Sequence, residues 1–172
     1  MTFIKEVFMI IRKLTKEDFK DYQLIRLELL KKHPENFGSS FEEESQFPTK
    51  VWIERLSKQT VTTFGAFKDN KIIGLCVIVK NPRLKLKHVA SLHSMYVKPQ
   101  YRKQNIATRL INQAIEKLTS EGVEMLNLSV VTTNNQAIKL YKSLGFIQYG
   151  IEPKTIKYND NYHDLMLLSK QL

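Results

Sequence analysis

Apolar residues recur at three- and four-residue spacing in some stretches and at every second residue in others, and these two periods lay out the elements. Residues 10–13 read as a short strand. Thr15 is a candidate N-cap with Asp18 three positions on, a weakened capping box. The helix it opens carries Phe19, Tyr22, Leu24, Ile25, Leu27, Leu29 and Leu30 and ends before His33 and Pro34. Residues 34–47 predict a loop with a helical turn in the Glu-rich part. Thr49 is a second N-cap candidate, opening a helix through Val51, Trp52, Ile53 and Leu56 that fades near Gln59. Stretches 61–67 and 72–79 are β-branched and aromatic, and the polar residues between them predict a hairpin; 88–97 forms a third strand, stopped by Pro99. Ile106, Leu110, Ile111, Ala114, Ile115 and Leu118 share one helix face, and Gly122 closes it. Residues 125–131 form a strand. Thr132 to Asn135 lead into a helix bearing Ala137, Ile138, Leu140 and Tyr141, which terminates at Gly145. Two last strands, 146–149 and 163–170, are joined by a loop around Pro153 and Asp160.

At 172 residues this is one domain, residues 1–172, with 1–8 a possible N-terminal extension and Met9 an equal candidate start. The element order predicts an α/β (α+β) fold, and 42% hydrophobic residues suffice for a packed core. No stretch approaches the roughly 20 apolar residues that span a bilayer, so no membrane partner is expected. A single cysteine, Cys76, excludes an internal disulfide and a cysteine-rich metal site; the cytoplasm is the expected compartment, and no metal is called for.

Charge changes the picture because it is localised. The formal net charge is +10, yet no acidic residue lies between Asp69 and Glu116, a segment holding Lys71, Lys80, Arg83, Lys85, Lys87, Lys98, Arg102, Lys103 and Arg109. That concentration suits a polyanion or a phosphate-bearing small molecule, or is a solvated face. Aromatic interleaving and helix-turn-helix signals are missing, so no nucleic-acid partner is expected. Glu35 and Glu42 to Glu44 form an acidic cluster that would draw a cationic substrate or merely begin a helix.

Chemistry concentrates where a strand ending His93-Ser94-Met95-Tyr96-Val97 passes Pro99 and opens a helix through Tyr101-Arg102-Lys103-Gln104-Asn105-Ile106-Ala107-Thr108. Unpaired N–H groups at a helix start, with basic residues beside them, fit a pyrophosphate; an ordinary strand-to-helix turn is the alternative. The run Arg102-Lys103-Gln104-Asn105-Ile106-Ala107 resembles the signature of the GNAT N-acetyltransferase family: Arg or Gln, two residues, Gly, one residue, Gly or Ala. A second family motif matches at Asn134-Asn135-Gln136-Ala137-Ile138-Lys139-Leu140-Tyr141-Lys142-Ser143-Leu144-Gly145-Phe146, in the family's order and spacing. With Ile11-Arg12 and the helix after them, the resemblance covers most of the chain. Asn105 departs from the family's glycine, but asparagine is a side chain that tolerates the left-handed region. It predicts a surviving loop with weakened or re-angled cofactor binding.

The resemblance implies a GNAT-type mixed, largely antiparallel central sheet of about six to seven strands, flanked by about four helices, with a splay between the two middle strands. It implies acetyl-CoA as cosubstrate and direct transfer of its acetyl group, in a ternary complex, to a primary amine of a small molecule or a peptide or protein. Met95, Tyr96 and Val97 would pair with the pantetheine arm through their backbone. Arg102, Lys103, Gln104, Asn105, Ile106, Ala107 and Thr108 would hold the pyrophosphate, and Asn134 would touch the arm or else cap a helix. Tyr141 matches the tyrosine that protonates the leaving thiolate, its alternative being a buried aromatic. An amine is neutral in about one molecule in 2,500 at pH 7, so a base is needed. His93, on the strand before the cofactor site, is the candidate, its alternative being a structural histidine. An acyl-cysteine route through Cys76 is disfavoured by its apolar strand. A non-catalytic acyl-CoA-binding regulatory module on the same scaffold is the rival reading. The chain is expected as a monomer or homodimer.

Overall fold

The computed structural model describes residues 9–172, so the expected extension at 1–8 lies outside the described residues. Its strands are β1 Ile10–Lys13, β2 Val61–Lys68, β3 Lys71–Lys80, β4 Val89–Val97, β5 Met125–Val131, β6 Ile147–Tyr158 and β7 Asn161–Gln171. Its α-helices are α1 Phe19–Lys32, α2 Phe41–Glu44, α3 Thr49–Ser57, α4 Ile106–Ser120 and α5 Asn135–Ser143. The strands form one mixed sheet in the order β1-β2-β3-β4-β5-β7-β6. The expected α/β class, strand number and splay are therefore present, and the helical turn in the Glu-rich stretch is α2. Pro48 rather than Thr49 occupies the cap of α3. Proline's fixed φ suits that position, and Thr49 begins the helix.

Each face of the sheet has its own core. Ile106, Leu110, Ile111, Ala114 and Leu118 of α4 pack with Ala66, Ile73, Cys76, Ile78 and Leu92 on one face. Tyr22, Ile25, Leu29 and Leu30 of α1 and Trp52 and Leu56 of α3 pack with Leu75, Val77 and Tyr96 on the other. Burying each large aliphatic side chain is worth about 1.5–3 kcal/mol, so both helix layers are held by their apolar faces.

The two middle strands barely touch. β4 and β5 run parallel and pair only at Val89 with Met125, Ala90 with Leu126 and Ser91 with Asn127. Beyond these the strands separate, and residues 92–97 have no partner on the β5 side. Within β4, Tyr96 opposes Leu75 and His93 opposes Val77, so Ser94 and Met95 together face Cys76. This β-bulge bends the strand, with Ser94 in the left-handed region at φ 51°.

The expected loop around Pro153 is instead part of a long hairpin. β6 and β7 pair from Ile147 with Ser169 to Tyr158 with Asn161, with register shifts between Gln148 and Gly150 and between Glu152 and Ile156. Pro153 falls in the second shift on an edge strand, where its missing N–H costs no ladder bond. The turn itself is Asn159-Asp160, both at positive φ, as a tight hairpin requires.

Candidate active site

Pro99 ends β4, and the chain turns through a short 3-10 segment before α4 begins at Ile106. Lys103 and Asn105 take left-handed backbone conformations, φ 61° and 57°. Asparagine therefore adopts the conformation for which glycine is usual. Alternating hand in successive residues turns amides toward one concavity. The backbone N–H groups of residues 103–108 find no hydrogen-bond acceptor among the described residues, whereas those of Tyr101, Arg102 and Arg109 are bonded to Lys98, Pro99 and Asn105 carbonyls. Lys103 has no carboxylate partner among the described residues, while Lys98 is tied to Glu28 at 3.3 Å and Lys80 to Glu121 at 2.9 Å. The basic segment is thus partly neutralised internally, and among its cations without a carboxylate partner Arg102 and Lys103 stand at the amide cradle.

This cradle forms one end of a cleft of about 300 Å³. Met95, Tyr96 and Val97 of β4 line it, as do Arg102, Lys103, Asn105, Ile106, Ala107 and Thr108 on the loop and α4, with Asn134 and Tyr141. Of the cofactor-side residues expected from sequence, only the exposed Gln104 does not line it. Tyr96 does so while its buried ring turns toward α1, where its hydroxyl donates to Glu28 at 3.0 Å. Asn134 caps α5, its Oδ1 accepting from the Ala137 N–H at 3.2 Å, and this leaves its amide nitrogen free to donate toward the cleft. Both alternatives for Asn134 are compatible in one side chain.

Tyr141 is buried on α5, its ring packed edge-on against Phe146 at 5.8 Å. Its hydroxyl has no protein partner among the described residues, yet it is not a buried orphan, so it opens to the cleft. Burial, with Cys76 nearby, raises its pKa, and the phenol stays protonated at neutral pH. Cys76 is fully buried, donates to the Leu110 carbonyl at 3.6 Å and has its thiol pushed up to about 12. It is no nucleophile in this state.

His93 stands apart. It is exposed, shares its sheet face with Val77 on the α1 and α3 side and does not line the cleft. Partial desolvation of the ring by its neighbours and then the Arg26 charge lower its pKa, leaving the imidazole neutral at pH 7.

The acidic cluster serves the scaffold. Glu44 is 2% exposed and accepts from Arg26 at 2.8 and 3.0 Å and from Arg55 at 2.8 and 3.3 Å. Burial pushes its carboxyl up, but the two guanidinium groups outweigh this and hold it at about 2. Arg26 also donates to the Ser94 hydroxyl at 2.7 Å, anchoring the β4 bulge. Glu43 is spent on capping Ser40. The expectation that these acids draw in a cation does not survive for Glu44, whose charge is taken up by two arginines.

Sequence reasoning missed His33, Asn36 and Phe37, which close the cleft from the segment after α1, and Tyr101, Gln136, Ala137 and Leu140. Gln136, Ala137 and Leu140 lie inside the second motif. His33 was legible only as a helix stop.

The splayed mixed sheet, the amide cradle at the start of α4 and the Tyr141 phenol thus meet at one cleft. The profile of the Acetyltransferase (GNAT) family matches residues 22–146, and the chain belongs to that family. It is 31% identical over 141 residues to an uncharacterized N-acetyltransferase of Methanocaldococcus jannaschii, a match covering 79% of this chain and 59% of that protein. It is 32% identical over 80 residues to the ribosomal protein bS18-alanine N-acetyltransferase of Escherichia coli, covering 46% of this chain and 54% of that one. The chain thus spans a little over half the length of these relatives. The protein yncA of Salmonella typhimurium, solved with its cofactor acetyl-CoA, superposes with a TM-score of 0.82 at 17% identity, covering 96% of this chain and 94% of that one.

Proposed function

We propose that the chain is an acetyl-CoA-dependent N-acetyltransferase acting on a primary amine by direct transfer. The observation that carries this reading is the run of amides at residues 103–108 without partners among the described residues, beside the edge of β4 that β5 leaves unpaired, in the cleft that the Tyr141 phenol also lines. The residues fit the cosubstrate. The amides and Lys103 match its diphosphate, and the free β4 edge at Met95 to Val97 matches the amide-bearing pantetheine arm. Acetyl-CoA supplies the activated acyl group.

On this reading Tyr141 donates its proton or a hydrogen bond to the sulfur as negative charge develops there. A protonated phenol is the form required, and burial maintains it. His93 takes the proton from the incoming ammonium, directly or through water. Its support is its neutral state at pH 7, its exposure and its place on β4 just before Met95. The cleft positions the carbonyl against the amine, so proximity contributes beside charge stabilisation. The chain would act in the cytoplasm, where a lone thiol stays reduced.

The test follows release of the CoA thiol when purified protein and acetyl-CoA meet a panel of amines: polyamines, amino sugars, free lysine analogues and peptides with free N-termini. Amine-dependent release with acetylated product supports the proposal. Tight acetyl-CoA binding without turnover on any amine would favour the regulatory module instead.

A further inference from the structure

α1 stops at Lys32 because Pro34 offers no N–H and restricts the residue before it. That stop sets His33 at the helix C-cap, φ −138° and ψ 55°, with its own N–H bonded to the Leu29 carbonyl at 3.0 Å. The ring lies 5.9 Å from that of Tyr96 and borders the cleft. Its Nε2 is 3.1 Å from a terminal nitrogen of Arg102, whose Nε donates to the Val97 carbonyl at 3.0 Å. Guanidinium has only donors, so the imidazole must accept through Nε2 and carry its proton on Nδ1. One cation is thereby held from two sides, by the last residue of β4 and by the end of α1, at the residue just before the amide cradle.

We propose that His33 is a positioning residue for acetyl-CoA, fixing the Arg102 side chain between α1 and β4 so that the amides of 103–108 stay aligned on the diphosphate. The proposal rests on the reading of the cleft given above. It deepens that reading, because His33 lies outside both motifs by which the cosubstrate site was found. Burial and then the adjacent Arg102 lower the imidazole's pKa, which favours the accepting, neutral form at pH 7. Glutamine offers an amide oxygen as substitute acceptor, whereas alanine leaves the guanidinium N–H without one.

The experiment is calorimetric titration of the full chain and its variants with acetyl-CoA, together with kcat at saturating acetyl-CoA and a circular-dichroism melt. Losing one charge-assisted bond predicts that His33→Ala binds about tenfold more weakly with kcat near wild type, and His33→Gln stays within about threefold of wild type. In an Arg102→Ala background, His33→Ala should add nothing further. Wild-type affinity in His33→Ala overturns the inference while leaving the site reading intact. So does a Gln variant as weak as Ala, or a full tenfold effect persisting without Arg102. Absence of binding by the wild-type chain would instead sink the site reading itself. If His33→Ala fails to fold, the Gln variant decides: wild-type-like binding supports the role, and tenfold loss overturns it.

Discussion

Replacing Asn105 separates the geometry of the cradle from the chemistry of the side chain. The residue is at φ 57° immediately before α4, is exposed, and makes no capping hydrogen bond through its side chain. An ordinary L-residue pays roughly 1–2 kcal/mol in this region, asparagine less. Asn105→Ala should therefore cost about 1 kcal/mol in total. If α4 holds the backbone in place, the cost falls on folding and lowers Tm by about 2–4 °C for a chain of this size. If the free loop relaxes, it falls on binding and weakens acetyl-CoA about fivefold. The two readouts, a urea unfolding curve and a calorimetric titration, should together account for about 1 kcal/mol. Asn105→Gly removes the strain, offsets it with about 0.4–1 kcal/mol of extra unfolded-chain entropy, and opens room for the diphosphate. Its stability should change little and its affinity should equal or exceed that of wild type. An alanine variant unchanged in both assays, or a glycine variant that binds several-fold more weakly, would refute the argument.

Tyr141→Phe should lower kcat about 100-fold, in the range usual for a lost general acid, with acetyl-CoA affinity and Tm unchanged because the hydroxyl has no partner among the described residues; rapid-quench turnover checks this. Glu44→Gln should destabilise the fold by about 3–5 kcal/mol, measured by urea unfolding, since two arginines lose their shared counter-charge. The Glu44 carboxyl sits at about 2 in the fold against an ordinary 4.5, so the unfolded chain takes up its proton first as pH falls. Its contribution is complete above about pH 4.5 and lost on descending toward pH 2, which unfolding curves at stepped pH will show and the Gln variant will lack. Cys76, with its thiol at about 12, should resist iodoacetamide at pH 8 in the native chain and react once denaturant is added, followed by mass spectrometry.

Local signals carried the cosubstrate side of the molecule. Helix periodicity found α1, α3, α4 and α5, and the residue type at 105 was enough to expect a left-handed turn. What failed did so for physical reasons. β6 is exposed on nearly every residue, so it has no inside and outside to alternate, and Pro153 made it look like a loop. His93 has an orientation that alternation does not give, because the Ser94 bulge shifts the register between it and Met95. No residue pattern marks that bulge. The bond from Arg102 to His33 and that from Arg26 to Ser94 span 69 and 68 positions, and distance along the chain hides them. The Glu-rich run looked like surface charge, whereas Glu44 is buried because two arginines on other helices enclose it.

The meeting of β4 and β5 makes the sheet two leaves, one of four strands and one of three, stitched along a seam of three residue pairs. A pantetheine arm lying in that gap would act as a mortar course between the leaves. The same contacts that aim the thioester would then stiffen the whole molecule, and an occupied chain should resist heat and protease better than an empty one by an amount set by ligand concentration over Kd.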